Sequence, residues 1–259
     1  MTSAADPILG LTEVSLRFGG LAVLSDVSFD VGEGELFAII GPNGAGKSSI
    51  FNCINGVYRP QRGRIELEGR SVIGKRPSTI AALGVGRTFQ NLGLFTALDV
   101  VENLMLGRHH RMRAGFLSSM AWFGRARDDE IANRESVERV IDLLDLEAFR
   151  GRPVGMLPYG VQKRVELGRA LAMEPKLLLL DEPVAGMNPS ETEAMAGYIL
   201  HARREMGLAM ILVEHDMHMV MDLADRVLVL DFGVQIATGS PDEVRGDQAV
   251  IDAYLGRAS

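Results

Sequence analysis

The sequence predicts an α/β fold, in which a helical segment is inserted into a core built on a buried parallel sheet. Short runs of consecutive apolar residues, typical of strands buried on both faces, occur at 36–40, 177–180, 210–213 and 227–230. Such runs alternating with helical segments favour an α/β core. Between about residues 92 and 160, charged residues separate apolar ones at helical spacing, so this stretch is predicted to form the inserted helical subdomain.

Both ends of the chain carry shorter local signals. Apolar and polar residues alternate along 14–18 and again along 27–31, so the first forty residues are predicted to be strands. Near the other end, Ser-Pro-Asp-Glu at 240–243 combines a capping residue, a proline and acids, which predicts the start of a helix. Gly233 is predicted to be an ordinary turn residue.

The composition is that of a globular protein with an acidic balance. Hydrophobic residues make up 47% and charged residues 24% of the 259 residues, which argues against a disordered chain. The net charge of -7 argues against nucleic acid as a partner. The single cysteine, Cys53, excludes an internal disulfide and a cysteine-based zinc site. No secretory signal or membrane-spanning stretch is recognised, so we expect partner subunits to provide any attachment to a membrane.

A phosphate-binding motif follows the first buried run. Residues 41–48 fit the pattern G-x-x-x-x-G-K-[ST] and precede a helix predicted over about 47–55. Backbone N–H groups of such a loop curl round phosphate oxygens, Lys47 would reach the β- and γ-phosphates, and the Ser48 hydroxyl would bind Mg²⁺. A chance glycine-rich turn is the alternative, and the flanking strand and helix argue against it. The candidate nucleotide-binding residues are Gly41, Pro42, Asn43, Gly44, Ala45, Gly46, Lys47, Ser48 and Ser49.

Two acidic residues follow the apolar run 177–180. Asp181 and Glu182 therefore lie at the carboxyl end of a predicted strand, where open α/β sheets bind their ligands. Asp181 is the candidate partner of Mg²⁺ through water, and Glu182 is the candidate general base for an attacking water. Two solvated acids in a loop are the alternative. The phosphate-binding motif makes a site for Mg²⁺ and ATP the favoured interpretation.

These motifs occur in a fixed order with three others, and the whole pattern resembles the ATP-binding subunits of ABC transporters. The three are Gln90, the segment 157–162 (Leu-Pro-Tyr-Gly-Val-Gln) and His215. The resemblance implies a RecA-like P-loop NTPase core with an N-terminal antiparallel β subdomain and the inserted helical subdomain, which together make the ABC ATPase fold. It also implies a single domain over residues 8–255.

The resemblance assigns roles around the nucleotide. Phe18 takes the position of an aromatic that stacks on adenine, with a strand-core role as the alternative. Gln90 resembles a glutamine that senses Mg²⁺ and water and links to the membrane subunit, and His215 resembles a histidine that contacts the γ-phosphate. The residues expected at the metal are Ser48, Gln90 and Asp181. The residues expected to be catalytic are Glu182, His215, Gln90 and Lys47.

Two such subunits, in this family, dimerise head to tail around two ATP molecules. Tyr159 and Gly160 would face the partner's nucleotide, and residues 185–188 would cross the interface. The signature departs from the usual L-S-G-G-Q, because Pro158 replaces the serine, Tyr159 the first glycine and Val161 the glutamine. Losing the serine's charge-assisted hydrogen bond would cost about 1.5–3 kcal/mol, so we expect the site that this signature completes to be weaker.

The tyrosine-glycine signature also resembles ATPases of branched-chain (hydrophobic) amino-acid uptake systems, as does Ala-Tyr-Leu-Gly at 253–256. This resemblance implies a second ABC ATPase subunit, identical or different, two transmembrane permease subunits and, indirectly, a periplasmic solute-binding protein. It places the chain peripherally on the cytoplasmic face of the inner membrane. The ATPase never touches the solute, so amide or urea uptake and lipid or lipopolysaccharide export stay open as alternatives.

Other classes fit less well. A soluble ABC ATPase of DNA repair would carry a long coiled coil, and no sustained heptads occur. A GTPase would show N-K-x-D, which is absent from the sequence, and a small-molecule kinase would leave 157–162 and His215 unexplained. The basic, aromatic stretch 108–127, which contains Trp122, is predicted either to meet membrane subunits or headgroups or to pack its tryptophan inward.

Overall fold

The computed structural model describes residues 7–88, 93–108 and 125–255, with side chains given for 131–253 in the last range. The strands are β1 (Leu9–Phe18), β2 (Leu21–Val31), β3 (Leu36–Ile40), β4 (Arg62–Leu67), β5 (Arg70–Ser71), β6 (Val85–Arg87), β7 (Leu177–Asp181), β8 (Ala209–Val213), β9 (Arg226–Asp231) and β10 (Val234–Gly239). The helices are α1 (Lys47–Ile54), α2 (Pro77–Ala82), α3 (Val100–Arg108), α4 (Arg125–Leu143), α5 (Tyr159–Leu171), α6 (Pro189–Met206), α7 (Met217–Leu223), α8 (Pro241–Gly246) and α9 (Gln248–Leu255).

A central sheet has the strand order β10-β9-β3-β8-β7-β6. β3 pairs in parallel with β8 and β9, and β7 pairs in parallel with β8 and β6, whereas β10 runs antiparallel to β9. The carboxyl ends of β3, β6, β7 and β8 therefore meet at one edge. A second, antiparallel sheet has the order β2-β1-β4-β5. Both sheets confirm the predicted fold class.

Successive side chains of the buried strands fill two separate cores. In β7, Leu178 and Leu180 pack with residues of the helices on one face of the central sheet. Leu177 and Leu179 pack on the other face, together with α1 and the antiparallel sheet. All four side chains are fully buried. This two-sided burial explains why the strand has an uninterrupted apolar run instead of a polar alternation.

Helix α1 begins directly after the phosphate-binding loop and ends at Ile54, one residue short of the predicted end. Its buried face includes Phe51 and Cys53. Burial raises the pKa of the Cys53 thiol to about 12, so the thiol stays protonated at neutral pH. Cys53 therefore acts as a packing residue, because the thiolate is the reactive form of cysteine.

Three of the described helices begin at complete capping boxes, and at α3 the box is formed by Asp99 and Glu102. Ser240 caps α8 and exchanges hydrogen bonds with Glu243, and Pro241 occupies the first turn, which confirms the start predicted from the sequence. Asn188 caps α6 in the same way with Glu191. Because Asn188 closes the loop that follows β7, this cap fixes where that loop ends.

The predicted inserted segment contains α3 and α4 in its described part. Helix α3 approaches α5 closely, since a Cβ on Gly107 would lie 2.3 Å from the carbonyl oxygen of Arg169. Gln90 and most of the stretch 108–127 lie outside the described residues. Both the single domain and the 92–160 subdomain boundary stay predictions.

Candidate nucleotide site

The phosphate-binding loop joins β3 to α1 and needs its glycines for two reasons. Gly41, Gly44 and Gly46 have φ values of 147°, 82° and 106°, which side-chain-bearing residues rarely adopt. A Cβ on Gly41 would also lie 2.1 Å from the carbonyl oxygen of Leu230. The loop therefore curls tightly against the end of β9, with its backbone available to a ligand at the start of α1.

A second glycine-containing turn supports the loop from outside. The N–H of Gly233 donates to the carbonyl oxygen of Ala45 at 2.9 Å. A Cβ on Gly233 would lie 2.2 Å from the carbonyl oxygen of Val23. Gly233 lies in the turn between β9 and β10, which confirms the predicted turn residue, and the close approach to Val23 leaves no room for a side chain there.

Lys47 lies inside the loop. Its ammonium donates to the carbonyl oxygens of Gly41 at 2.6 Å and Pro42 at 3.0 Å. Burial lowers the pKa of Lys47, and the nearby carboxylates of Glu182 and Asp181 partly oppose that shift. The structure thus brings the lysine together with both acidic residues predicted for the site. Ser48 and Asn43 are exposed beside it.

Asp181 is buried, and only one of its two carboxylate oxygens has a hydrogen-bond partner among the described residues. Its Oδ2 accepts a hydrogen bond from Arg87 Nη2 at 2.7 Å, and its backbone N–H donates to Thr88 Oγ1 at 3.1 Å. Its Oδ1 is buried and has no hydrogen-bond partner among the described residues. An oriented, otherwise unsatisfied carboxylate oxygen suits a hard cation such as Mg²⁺. In the described part of the chain, no group of three or more His, Cys, Asp or Glu side chains is arranged to hold a metal ion.

Arg87 is a site residue that the sequence analysis missed. Its guanidinium also donates to Asn52 Oδ1 at 2.8 Å and lies over the Phe51 ring, 5.5 Å from the centroid. Arg87 thereby joins α1 to the end of β7. The sequence indicates Arg87 only if β6 is recognised and known to pair with β7, because that pairing places Arg87 beside the end of β7.

Replacing Arg87 by Met is expected to lower the free energy of unfolding by about 3 kcal/mol, because it leaves the buried Asp181 carboxylate without its charge partner. Urea denaturation measures this change. The matched control is Arg226→Met, since Arg226 also lies over a phenylalanine and pairs with acids but is more exposed. The control is expected to cost less than about 1 kcal/mol. Equal losses in the two variants would contradict this account of Arg87.

Glu182 and His215 are in direct contact. His215 Nε2 lies 2.7 Å from Glu182 Oε1. Glu182 adopts a φ of 50°, unusual for a residue with a side chain, and its N–H donates to the carbonyl oxygen of Val213 at the end of β8. Such backbone recurs at active sites, and six other non-glycine residues of the described chain share this φ region, so the contact with His215 is the more specific feature. A carboxylate paired with an imidazole can accept and pass on a proton.

Glu214 connects these two residues and was not singled out from the sequence. Its Oε1 accepts a hydrogen bond from the N–H of Val184 at 3.1 Å, and its Oε2 accepts one from the N–H of His215 at 2.9 Å. Burial raises the pKa of Glu214, although these backbone hydrogen bonds act in the opposite direction. Glu214 therefore ties the loop after β7 to the histidine after β8.

The signature segment lies beside the same loop. Helix α5 begins at Tyr159, with Pro158 as its capping residue. The Tyr159 hydroxyl donates to the carbonyl oxygen of Ala185 at 2.9 Å. A Cβ on Gly160 would lie 2.7 Å from Glu191 Oε1. Tyr159 is 42% exposed, so part of its ring stays accessible to another molecule.

Phe18 is 48% exposed at the end of β1 and packs edge-on against Tyr58, with the ring centroids 5.0 Å apart. This exposure excludes the alternative of a strand-core residue and leaves a ring available for stacking. The predicted position of Gln90 lies outside the described residues, so its role stays a prediction.

Together these features define an α/β nucleotide-binding protein with a phosphate loop. The loop lies between a strand and a helix, and carboxylates follow the parallel strand β7 at the same edge of the sheet. The family is shown by comparison with known proteins. Residues 24–185 match the family model for ABC transporters, and residues 234–259 match that for branched-chain amino acid ATP-binding cassette transporters. The chain belongs to the ABC transporter family and is an ATPase of that class.

Curated relatives align along almost the whole chain. The high-affinity branched-chain amino acid transport ATP-binding protein BraF of Pseudomonas aeruginosa is 39% identical over 97% of this chain and 99% of its own length. The high-affinity branched-chain amino acid transport ATP-binding protein LivG of Escherichia coli is 37% identical over 98% of this chain and 100% of its own length.

Solved structures agree with the fold. A nucleotide-free ATP-binding cassette from an ABC transporter has a TM-score of 0.83 and 30% identity, covering 97% of this chain and 100% of that one. The ADP conformation of MJ1267, an ATP-binding cassette of an ABC transporter, has a TM-score of 0.84 and 29% identity, covering 98% and 100%. Within the ranges described, no helix is both long and apolar enough to cross a membrane.

Proposed function

We propose that the chain is the ATP-hydrolysing motor subunit of an ABC importer for branched-chain or other small hydrophobic amino acids. The observation that carries the hydrolytic part is the contact of Glu182 with His215 beside Lys47 and Asp181. The match of residues 234–259, which contain β10, α8 and α9, supports the amino-acid class. The similarity to BraF and LivG, which are branched-chain amino acid transport ATP-binding proteins, supports the same class.

Each residue of the site has a separate role in binding and hydrolysing ATP. Loop N–H groups and Lys47 bind the β- and γ-phosphates, and Phe18 stacks on the adenine. Glu182 accepts a proton from the attacking water. The oxygen of that water bonds to the γ-phosphorus while the bond between the γ-phosphorus and the ADP oxygen breaks. His215 orients Glu182 and contacts the γ-phosphate. Ser48, Asp181 and Gln90 would hold Mg²⁺, which neutralises phosphate charge when it is bound.

The proposed assembly is a head-to-tail dimer with a second ABC ATPase subunit on two permease subunits, at the cytoplasmic face of the inner membrane. A periplasmic binding protein would deliver the solute without touching this chain. The exposed Tyr159 and the nearby loop after β7 support the dimer, because they form one accessible surface beside the start of α5.

Uptake by the assembled transporter in proteoliposomes tests the function. With the binding protein present, we expect ATP-dependent uptake of labelled leucine that unlabelled isoleucine and valine suppress. The transporter carrying Glu182→Gln is expected to show none. Uptake of urea or acetamide without leucine would overturn the amino-acid assignment, and ATP-driven movement of lipid in the opposite direction would overturn import.

A further inference from the structure

A single tyrosine connects the signature segment to the loop that carries the general base. We call residues 182–188 the carboxylate loop. Tyr159, the first residue of α5, donates its hydroxyl hydrogen bond to Ala185 in the middle of this loop. Its ring also lies against Gly186, where a Cβ would come within 3.4 Å of the tyrosine ring edge and hydroxyl. The tyrosine thus contacts the loop through both hydroxyl and ring.

Backbone hydrogen bonds within the carboxylate loop connect Ala185, which accepts the Tyr159 hydrogen bond, to Glu182. The N–H of Ala185 donates to the carbonyl oxygen of Glu182 at 3.2 Å, and the N–H of Met187 donates to that of Val184 at 3.0 Å. Two successive hydrogen bonds therefore join the Tyr159 hydroxyl to the backbone of Glu182. The Glu182 side chain in turn contacts His215.

The start of α5 also touches the far end of the carboxylate loop. Gly160 approaches Glu191 so closely that a Cβ would lie 2.7 Å from its Oε1. Glu191 completes the capping box with Asn188, the last residue of the loop. The first turn of α5 thus contacts the middle of the carboxylate loop and the cap at its end. A shift of α5 would therefore displace the loop and change the position of Glu182.

We propose that Tyr159 is a positioning residue that sets the carboxylate loop, and through it the direction of Glu182 in the same chain. This inference rests on the proposed function, in which the start of α5 faces the partner's nucleotide. Tyr159 then links the occupancy of one nucleotide site to the geometry of the general base in the other. A glycine at this position, as in the usual signature, has no side chain to make the link.

The test is Tyr159→Phe in the assembled transporter, because phenylalanine keeps the ring against Gly186 and removes only the hydroxyl. We expect kcat for ATP to fall roughly fivefold, the effect of one neutral hydrogen bond. We expect KM to stay within about twofold and the Hill coefficient for ATP to decrease. A general loss of packing would instead lower the thermal midpoint by more than the roughly 2–4 °C that one lost hydrogen bond would cost in a chain of this size.

Tyr198→Phe is the matched control. The Tyr198 hydroxyl donates to Asp145 Oδ2 at 2.7 Å and accepts from Arg164 at 3.0 Å. Tyr198 lines the same cavity as Gly160 and Met187, so this variant removes hydroxyl hydrogen bonds in the same region without removing one to the carboxylate loop. It is expected to show wild-type kinetics. Unchanged kcat and Hill coefficient in Tyr159→Phe, or the same change in both variants, would overturn the role of Tyr159 alone. Absence of ATPase activity in the wild-type transporter would overturn the proposed function and this inference together.

Discussion

Replacing Glu182 by Gln is expected to preserve ATP binding and to lower the rate of hydrolysis at least about 100-fold, the usual contribution of a general base. Glutamine has the same shape but cannot accept the proton of the attacking water. Its amide can still hydrogen-bond to His215 Nε2, which lies 2.7 Å from the carboxylate oxygen, so the local structure should survive. Phosphate release at saturating ATP measures the rate, and a fluorescent ATP analogue measures binding.

The same variant should accumulate in the ATP-bound dimer, because ATP would close the dimer and hydrolysis would no longer open it. Size-exclusion chromatography with ATP and with ADP detects this shift. Glu193→Gln is the matched control, since Glu193 is exposed on α6, and it should behave as wild type. Near-normal turnover by Glu182→Gln would reject Glu182 as the base.

Replacing Lys47 by Met is expected to weaken ATP binding about 100-fold while changing stability little. The ammonium would make charge-assisted hydrogen bonds to two phosphates, and the loss of about 3 kcal/mol corresponds to that factor. Stability should change little because burial lowers the pKa of Lys47, which means that the folded protein disfavours the charged form. Methionine keeps the volume and removes that cost, while the two carbonyl oxygens lose one donor.

Titration with the fluorescent ATP analogue and urea denaturation measure the two effects separately. Lys75→Met, at an exposed lysine outside the loop, is the control and should bind ATP as wild type. If Lys47→Met lost binding and folding in parallel, the lysine would be a structural residue of the loop rather than a phosphate ligand.

The sequence predicted best those strands whose own residues form a recognisable apolar run. The buried runs at β3, β7, β8 and β9 were recognised because two-sided burial demands consecutive apolar residues. Strands β5, β6 and β10 were not predicted, and β5 has only two residues. β6 has three residues, and β10 is a half-buried edge strand in which only Val234 and Ile236 are large apolar residues. Their hydrophobic patterns are too short or too weak to distinguish them from loops.

In the candidate site, likewise, some residues could be placed from the sequence and others only from the structure. The phosphate loop, the carboxylates after β7 and the histidine after β8 could be placed from the sequence, since each follows a recognisable strand. The contact between Arg87 and Asp181 could not, because 94 positions separate the two residues and only the pairing of β6 with β7 brings them together.

The sequence by itself therefore determined which chemical groups this ATPase carries and at which strand ends they lie, because strands, caps and glycine turns follow from local composition. Only the tertiary structure decided how those groups are held. Arg87 orients Asp181, Glu214 joins the carboxylate loop to His215, and Tyr159 reaches Ala185. The physical reason is that these hydrogen bonds depend on strand order and helix packing, which place residues distant in the chain within 3 Å or so of each other.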